Sequence, residues 1–123
     1  MKPFYIGDLK INKPVVQGGM GVGVSLSRLA AAVANEGGIG VIASVGAGLL
    51  EDDFKSDYQE ANIRALRNEI RKARSSTKGV IGLNVMVALT DYKEIINTAV
   101  DENIDILFLG AGLPTDVPNE IGI

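Results

Sequence analysis

The sequence predicts an α/β fold with a parallel sheet, and three features of the chain support this prediction. Short apolar runs of strand length alternate with longer stretches whose apolar residues recur at helical spacing. Each apolar run is followed by a glycine-rich or polar loop, whereas the turns that lead from helix back to strand are short. Alternation of this kind requires right-handed crossovers and parallel strands. We therefore expect a hairpin followed by β-α-β-α-β-α-β in one domain, residues 1–123.

The composition excludes several classes of function. The chain has 123 residues, of which 46% are hydrophobic, so it can bury one core, and its net charge of −3 gives no support for nucleic-acid binding. Because it contains neither cysteine nor histidine, zinc ribbons, thiol nucleophiles and histidine-based triads are excluded within it. No apolar run reaches the length of a secretory signal or a membrane span. We therefore expect a soluble cytoplasmic protein without membrane or nucleic-acid partners.

The amino-terminal stretch predicts a β-hairpin. Phe4–Ile6 and Leu9–Ile11 flank Gly7-Asp8, a pair that is typical of a tight turn between antiparallel strands. Such a ribbon could cover one end of a sheet or barrel. Pro14 closes the ribbon, and residues 15–17 are then expected to form the first buried strand.

The next stretch predicts the first helix and the second buried strand. Ser25 or Ser27 is expected to accept hydrogen bonds from the first backbone N–H groups of the helix. Gly37 and Gly38 predict its left-handed stop. Residues 39–43 are almost uniformly apolar, as in a strand that is covered on both faces. The apolar stripe of the helix consists of Leu26, Leu29, Ala30 and Val33.

Two further βα units follow after a longer loop. Ser56 and Gln59 fit a capping box that would begin the second helix. Residues 80–85 predict a third strand, Asp91 is expected to cap a third helix, and residues 104–109 predict a fourth strand. The inward-facing residues of the second helix are Ile63, Leu66, Ile70 and Ala73, and those of the third are Tyr92, Ile95, Ile96, Ala99 and Val100.

The glycine-rich run after residue 17 is the most unusual feature of the sequence. It does not match a dinucleotide fingerprint, because Val24 stands where the third glycine is required, and no Gly-Lys-Ser/Thr of a P-loop follows. One interpretation is a tight turn that needs positive φ at one or two positions. Gly18, Gly19, Gly21 and Gly23 are more glycines than one turn needs, which favours the close approach of a flat ligand to the backbone.

Asn84 places a neutral amide near the carboxyl end of the apolar third strand. A buried amide must find partners or costs roughly 1–3 kcal/mol, so a structural bond and a ligand contact are both open. Ser44 lacks the leading glycine of a nucleophile elbow and has no histidine to activate it, so we reject it as a nucleophile. Residues 51–53 are three adjacent carboxylates, for which solvation is a better interpretation than metal binding. The basic residues of the second helix predict a solvated outer face.

Four motifs, in chain order, resemble the nitronate monooxygenase family, formerly called 2-nitropropane dioxygenases. They are residues 14–21 (PVVQGGMG), residues 35–42 (NEGGIGVI), residues 82–86 (GLNVM) and residues 110–114 (GAGLP). The resemblance covers essentially the whole chain. It extends to the related flavin-type enoyl-acyl-carrier-protein reductases.

The resemblance implies an FMN-binding (β/α)₈ barrel, of which this chain would supply about the amino-terminal half. The flavin-contacting residues that it implies are Gly19, Met20, Gly21, Asn84, Gly110, Ala111 and Gly112. The first three would offer backbone to the flavin ring, the asparagine a hydrogen bond, and the last three part of the same rim. No metal is implied. The catalytic histidine of many family members and the phosphate-binding loops would lie beyond Ile123, so no catalytic residue is assigned.

The resemblance also implies the reaction. In the family FMN takes electrons from an alkyl nitronate, and the reduced species or a radical pair then reacts with O₂. The related reductases instead pass hydride from a nicotinamide through FMN to an enoyl thioester, which is the first alternative. The second alternative is an inactive half-barrel fragment. A half barrel would expose its sheet edges, so we expect self-association, and a clean monomer at micromolar concentration by light scattering would contradict this.

Overall fold

A three-stranded parallel sheet forms the centre of the computed structural model, which describes residues 1–122. Its strand order β3-β4-β5 follows the order of the chain, and β1 pairs with β2 as a separate antiparallel hairpin. This arrangement confirms the predicted α/β fold with a parallel sheet and an amino-terminal hairpin. The elements are β1 (Phe4–Ile6), β2 (Leu9–Ile11), α1 (Ser27–Asn35), β3 (Ile39–Ala43), α2 (Tyr58–Ser76), β4 (Val80–Met86), α3 (Tyr92–Asp101), β5 (Ile106–Gly110) and α4 (Val117–Glu120).

The two faces of the sheet contact different parts of the chain. On one face, Ile42, Leu83 and their neighbours pack against the helices and form the larger core cluster. On the other face, Ile39 and Val41 pack with residues of the hairpin, including Ile11. Because Ile39 begins its strand, the hairpin covers the amino-terminal end of this face. The carboxyl-terminal end of the same face, which carries Asn84, is the part that the candidate site uses.

Residues 15–17 do not form the predicted buried strand. They make a single parallel bridge, between Val16 and Ile39, and 49% of Val16 is exposed. The reason lies in Gln17, whose side chain takes over the pairing as the backbone turns away. Its Nε2 donates to the carbonyl oxygen of Val41 at 3.0 Å, and its Oε1 accepts from the N–H of Val41 at 3.1 Å. A side-chain amide thus replaces the backbone that a longer strand would supply.

The expected cap of α1 is also wrong. Ser25 Oγ accepts from the N–H of Met20 at 2.9 Å and does not cap the helix. The N–H of Ser27 instead donates to Oε2 of Glu69, on α2, at 2.9 Å. The predicted stripe is confirmed at Ala30, which is fully buried, but it is wrong at Leu29, which is 43% exposed. This is because α1 packs so closely on β3 that only small side chains fit between them.

The second and third helices begin close to the predicted positions, but their caps differ. Asp57, not Ser56, caps α2, and its Oδ1 accepts from the N–H of Glu60 at 3.2 Å. Asp91 precedes α3 without making a side-chain cap bond to any described residue. Val100 is 44% exposed and leaves the predicted stripe. The predicted inward-facing residues of α2 are confirmed as buried; they are Ile63, Leu66, Ile70 and Ala73.

The basic residues of α2 make ion pairs that connect it to the elements around it. Arg67 and Arg71 both donate to Glu102, at the end of α3, at 2.7 and 2.8 Å. Hydrogen bonds from Arg71 hold the pKa of that carboxyl below its usual value, with Arg67 assisting. Arg64 donates to Asp53 at 2.6 Å and also binds Glu51, so two of the three loop carboxylates are neutralised within the chain. The outer face of α2 is therefore exposed but paired.

Glu69 gives a pH-dependent prediction. Burial acts to raise its pKa, but the hydrogen bonds from Ser27 and the ion pair with Lys72 outweigh burial and hold the pKa below its ordinary value of 4.5. A carboxyl whose pKa is lowered in the folded state stabilises the fold well above pH 4.5, and this contribution disappears as pH falls through the folded pKa. Glu69→Gln should therefore cost about 1 kcal/mol at neutral pH and progressively less in acid.

Urea unfolding of both proteins between pH 7 and pH 3 would measure this difference. Glu60→Gln is a matched control, because Glu60 is an exposed residue of the same helix and its side chain makes no hydrogen bond or ion pair with the rest of residues 1–122. A constant stability difference between Glu69→Gln and the parent protein over the whole pH range would contradict the prediction.

Candidate functional site

The candidate site lies where the parallel strands end. The loops after residue 17, β3, β4 and β5 all leave the sheet at this edge, as the sequence predicted. Asn84 lies two residues before the end of β4, level with Ala43 on β3 and Phe108 on β5. It is half-buried, and its side chain is on the face that the hairpin covers only at the opposite end. The edge is the usual position of ligand sites in parallel α/β folds.

The structure brings Asn84 and the glycine-rich loop into contact. Nδ2 of Asn84 donates to the carbonyl oxygen of Gly19 at 3.5 Å, across 65 residues of sequence. A Cβ on Gly19 would lie 2.7 Å from Cβ of Asn84, so this position requires glycine for packing. No described residue donates a hydrogen bond to Oδ1 of Asn84. The nitrogen of the amide thus makes one long hydrogen bond to the loop, and its oxygen remains able to accept.

The glycines of this loop serve three different purposes. A Cβ on Gly21 would lie 2.9 Å from the carbonyl oxygen of Val45, so Gly21, like Gly19, permits close packing within the chain. Gly23 has a φ of +81°, which favours glycine for its backbone conformation. Gly18 has neither reason, because its φ is not positive and, apart from its chain neighbours, no atom of the described residues lies within 4 Å of the position that a Cβ would take. The predicted surplus of glycine is therefore partly explained by packing.

Gly110 has the same property as Gly18. It ends β5 without positive φ, and the space beside its Cα is open. Gly112 differs, since a Cβ there would lie 2.6 Å from Cγ2 of Val87, and Ala111 adopts a left-handed φ of +57°. Bare backbone facing open space at Gly18 and Gly110 is the feature that close approach by a ligand requires. Sequence reasoning included Gly110 among the site residues but not Gly18.

Met20 lies at the tip of the loop. Its side chain is 63% exposed, while its N–H is held by Ser25 Oγ. Ser25 Oγ also donates to the carbonyl oxygen of Gly18, at 3.4 Å. The serine that was expected to cap α1 therefore fixes the shape of the glycine loop instead.

The amino end of α1, next to the glycine loop, is partly occupied by a carboxylate. Helix amino termini bind anions through free N–H groups, but Glu69 already accepts from the N–H of Ser27 at this terminus. A phosphate here would have to displace a carboxylate that also pairs with Lys72. This agrees with the failed fingerprint and P-loop patterns.

Other chemistry finds little support among the described residues. Ser44 is fully buried and its Oγ has no hydrogen-bond partner in residues 1–122, so no base activates it. Over the same residues, no cluster of three or more acidic side chains is arranged to hold a metal ion. No helix in the described part of the chain has the length and apolarity to cross a bilayer. What the rim offers is backbone, one amide and open space.

Parallel β/α units with a glycine-rich rim at the carboxyl ends of their strands place this chain among the parallel α/β proteins, which include barrels and open sheets. The sequence profile of the nitronate monooxygenase family matches residues 2–112, and the chain belongs to this family, one of flavin-dependent oxidoreductases. No curated protein shows significant similarity to the chain.

Two solved structures share the fold. FabK from Thermotoga maritima matches with a TM-score of 0.60 and 25% identity, covering 85% of this chain and 30% of FabK. A single-substitution mutant of the same protein matches with a TM-score of 0.63 and 24% identity, covering 85% of this chain and 31% of the mutant. The chain therefore corresponds to part of a TIM barrel and spans about a third of the length of these proteins.

Proposed function

We propose that this chain supplies part of the FMN site of a nitronate monooxygenase-type oxidoreductase, which oxidises alkyl nitronates with O₂. The observation that carries the proposal is the open backbone of Gly18 and Gly110 at the rim that also holds Asn84. A flat ring can approach backbone closely only where no Cβ intervenes. Two such positions at the same rim as an amide that can accept a hydrogen bond suit a flavin ring.

The residues present fit the ring of FMN better than its phosphate. The N–H groups of Gly18, Gly19 and Gly21 make no hydrogen bond within the described residues, and Oδ1 of Asn84 is able to accept. These groups would hold and orient the ring, and FMN would supply the electron transfer. At the nearest helix terminus Glu69 already accepts from the N–H of Ser27, so a phosphate there would compete with a carboxylate. Gly19, Met20, Gly21, Gly110, Ala111 and Gly112 are proposed as the residues beside the ring.

Enoyl-thioester reduction with a nicotinamide and FMN is the second candidate. Two observations support this candidate, namely the similarity of the fold to FabK and the sequence resemblance to flavin-type reductases. The rim described here would serve both reactions, because both use the same flavin. A complete family barrel that carries these loops would distinguish them by turnover of propionate 3-nitronate or by NADH-dependent enoyl reduction.

The proposal predicts that this chain binds lumiflavin and FMN equally, because it holds the ring and not the phosphate. Amide chemical-shift changes in nitrogen–proton NMR spectra should be confined to residues 18–21, Asn84 and residues 110–112. Gly18→Val should weaken binding of both flavins by about tenfold, since a side chain would then occupy the space of the ring. Ala32→Val is the matched control, because Ala32 is an exposed residue of α1 outside this rim.

Two outcomes would contradict the proposal. One is a much higher affinity for FMN than for lumiflavin, which would require a phosphate site. The other is unchanged flavin binding by Gly18→Val. If Ala32→Val weakens flavin binding as strongly as Gly18→Val does, the effect of Gly18→Val is not local to the rim.

We also propose that the chain self-associates through the exposed edges of its sheet. Val16 is half exposed at one edge of the sheet, and every residue of β5 is only partly buried at the other. Exposed sheet edges of this kind favour pairing with another chain. A cytoplasmic location is likewise proposed.

A further inference from the structure

We propose that a cavity on the helix side of the glycine-rich loop is a second binding site, for a small molecule with one aromatic ring and a cationic amine. The cavity has a volume of about 300 Å³. It lies where the loop between β3 and α2 approaches the loop between β4 and α3, with Val22 of the glycine-rich loop on one side. The flavin proposal uses none of its lining side chains.

The walls of the cavity are mainly apolar. Phe54 and Tyr58 meet edge to face, with ring centroids 6.5 Å apart and an angle of 68° between the planes. Such an arrangement presents ring faces and edges to a further aromatic group. A volume of this size is at the lower limit for ligand cavities, which suits a single ring. The other apolar lining residues are Val22, Val45, Leu49, Leu89 and Ile95.

The polar groups of the cavity determine the charge of the ligand. Asn62 is buried and already satisfied, because its Oδ1 accepts from the N–H of Gly48 at 3.1 Å and its Nδ2 donates to the carbonyl oxygen of Ser44 at 3.0 Å. Asp91 carries the one formal charge among the lining residues, and its side chain makes no cap bond to α3. A carboxylate at the edge of an apolar cavity favours a positively charged hydrogen-bond donor.

Val22 gives an independent indication that this wall has a function. Its φ of +50° is unusual for a β-branched residue and costs conformational energy. The conformation is held by a hydrogen bond from its N–H to the carbonyl oxygen of Val45 at 2.7 Å. Val22 also packs against Gly46, which is itself left-handed. The strained conformation places an apolar side chain beside the cavity. Strained residues of this kind are typical of ligand sites.

The test uses benzylamine and phenylacetate, which share a ring and differ in charge. Methyl NMR spectra should show saturable shifts with benzylamine at Leu89, Ile95 and Val45, and at least tenfold weaker binding of phenylacetate. Asp91→Asn should weaken benzylamine binding by about tenfold and remove the preference between the two probes. Val22→Gly should weaken binding without lowering the melting temperature, since it removes a wall together with its strain.

Val100→Ala is the matched control, because Val100 lines a different surface groove beside β5 and should leave benzylamine binding unchanged. Shifts that spread over the surface without saturating, equal binding of the two probes, or unchanged binding by Asp91→Asn would each overturn the proposal. Lumiflavin is expected to shift the amides of a different set of residues. Failure of this site and failure of the flavin proposal are therefore distinguishable.

Discussion

Replacing Gly40 by alanine is expected to lower the free energy of unfolding by about 3 kcal/mol. Gly40 lies within β3, and a Cβ at this position would overlap the carbonyl oxygen of Ala30 on α1. The atoms of Ala30 that it would meet belong to the backbone, so no flexible side chain can move aside. The whole helix would have to move away from the sheet, which would open the core around Ile42.

Gly18→Ala is the matched control for this prediction. The φ of Gly18 is not positive, and the space beside its Cα is open. The free energy of unfolding of Gly18→Ala should therefore stay within about 0.5 kcal/mol of the parent protein's. Urea unfolding followed by circular dichroism measures both variants. If Gly40→Ala unfolds at the same urea concentration as the parent protein, α1 does not pack on β3 as described.

Asp105→Ala is expected to have the next largest effect and to lower the free energy of unfolding by about 2–3 kcal/mol. Oδ2 of Asp105 accepts from the N–H of Ile81 at 2.8 Å and from Arg74 at 2.6 Å. Ile81 is completely buried, near the start of the central strand. Removing the Asp105 carboxylate would leave the buried N–H of Ile81 without an acceptor. It would also leave Arg74 without its carboxylate partner.

Asp105→Asn separates these two contributions. An asparagine still offers an oxygen to the N–H of Ile81 but carries no charge for Arg74. Because the ion pair is partly exposed, with 29% of the Arg74 side chain accessible, its loss should cost within about 1 kcal/mol. Equal losses for Asp105→Ala and Asp105→Asn would show that the ion pair, and not the bond to Ile81, is the important contact.

The order of the elements could be predicted because the signals for it are local. Uniform apolarity of β3, the glycine stop at Gly37 and the turn at Gly7 each depend on a few neighbouring residues. Gly37 and Gly7 both have positive φ, at +94° and +57°, as their roles require. Local backbone chemistry of this kind is visible in the sequence.

The parts of the fold that could not be predicted depend on contacts between distant residues. Glu69 caps α1 from 42 residues away, and Gln17 pairs with Val41 through its side chain. A sequence pattern shows that a serine could cap a helix, but not that a carboxylate from another helix will do so. Residues 15–17 have the composition of a strand, but Gln17 pairs with Val41 through its side-chain amide and not through its backbone. The sequence pattern counts Gln17 as an ordinary strand residue.

The candidate site was predictable to a similar degree. Asn84 and the glycine loop were expected at the same rim, and the structure places Asn84 against Gly19. The reasons for the individual glycines were not visible, because they depend on which atoms lie opposite. Gly21 faces Val45, which no spacing rule connects to it, whereas Gly18 faces open space. Only the three-dimensional arrangement separates packing glycines from those available to a ligand.

The match between chain order and sheet order has a consequence for folding kinetics. β4 pairs with β3 and β5 pairs with β4, so each later strand of this sheet adds to the one that precedes it in the sequence. The loops that close on folding are therefore limited to one crossover at a time, which keeps the contact order below that of a parallel sheet whose neighbouring strands are distant in sequence. We expect structure to accumulate from the amino terminus during synthesis, each βα unit adding to a surface that already exists on the ribosome.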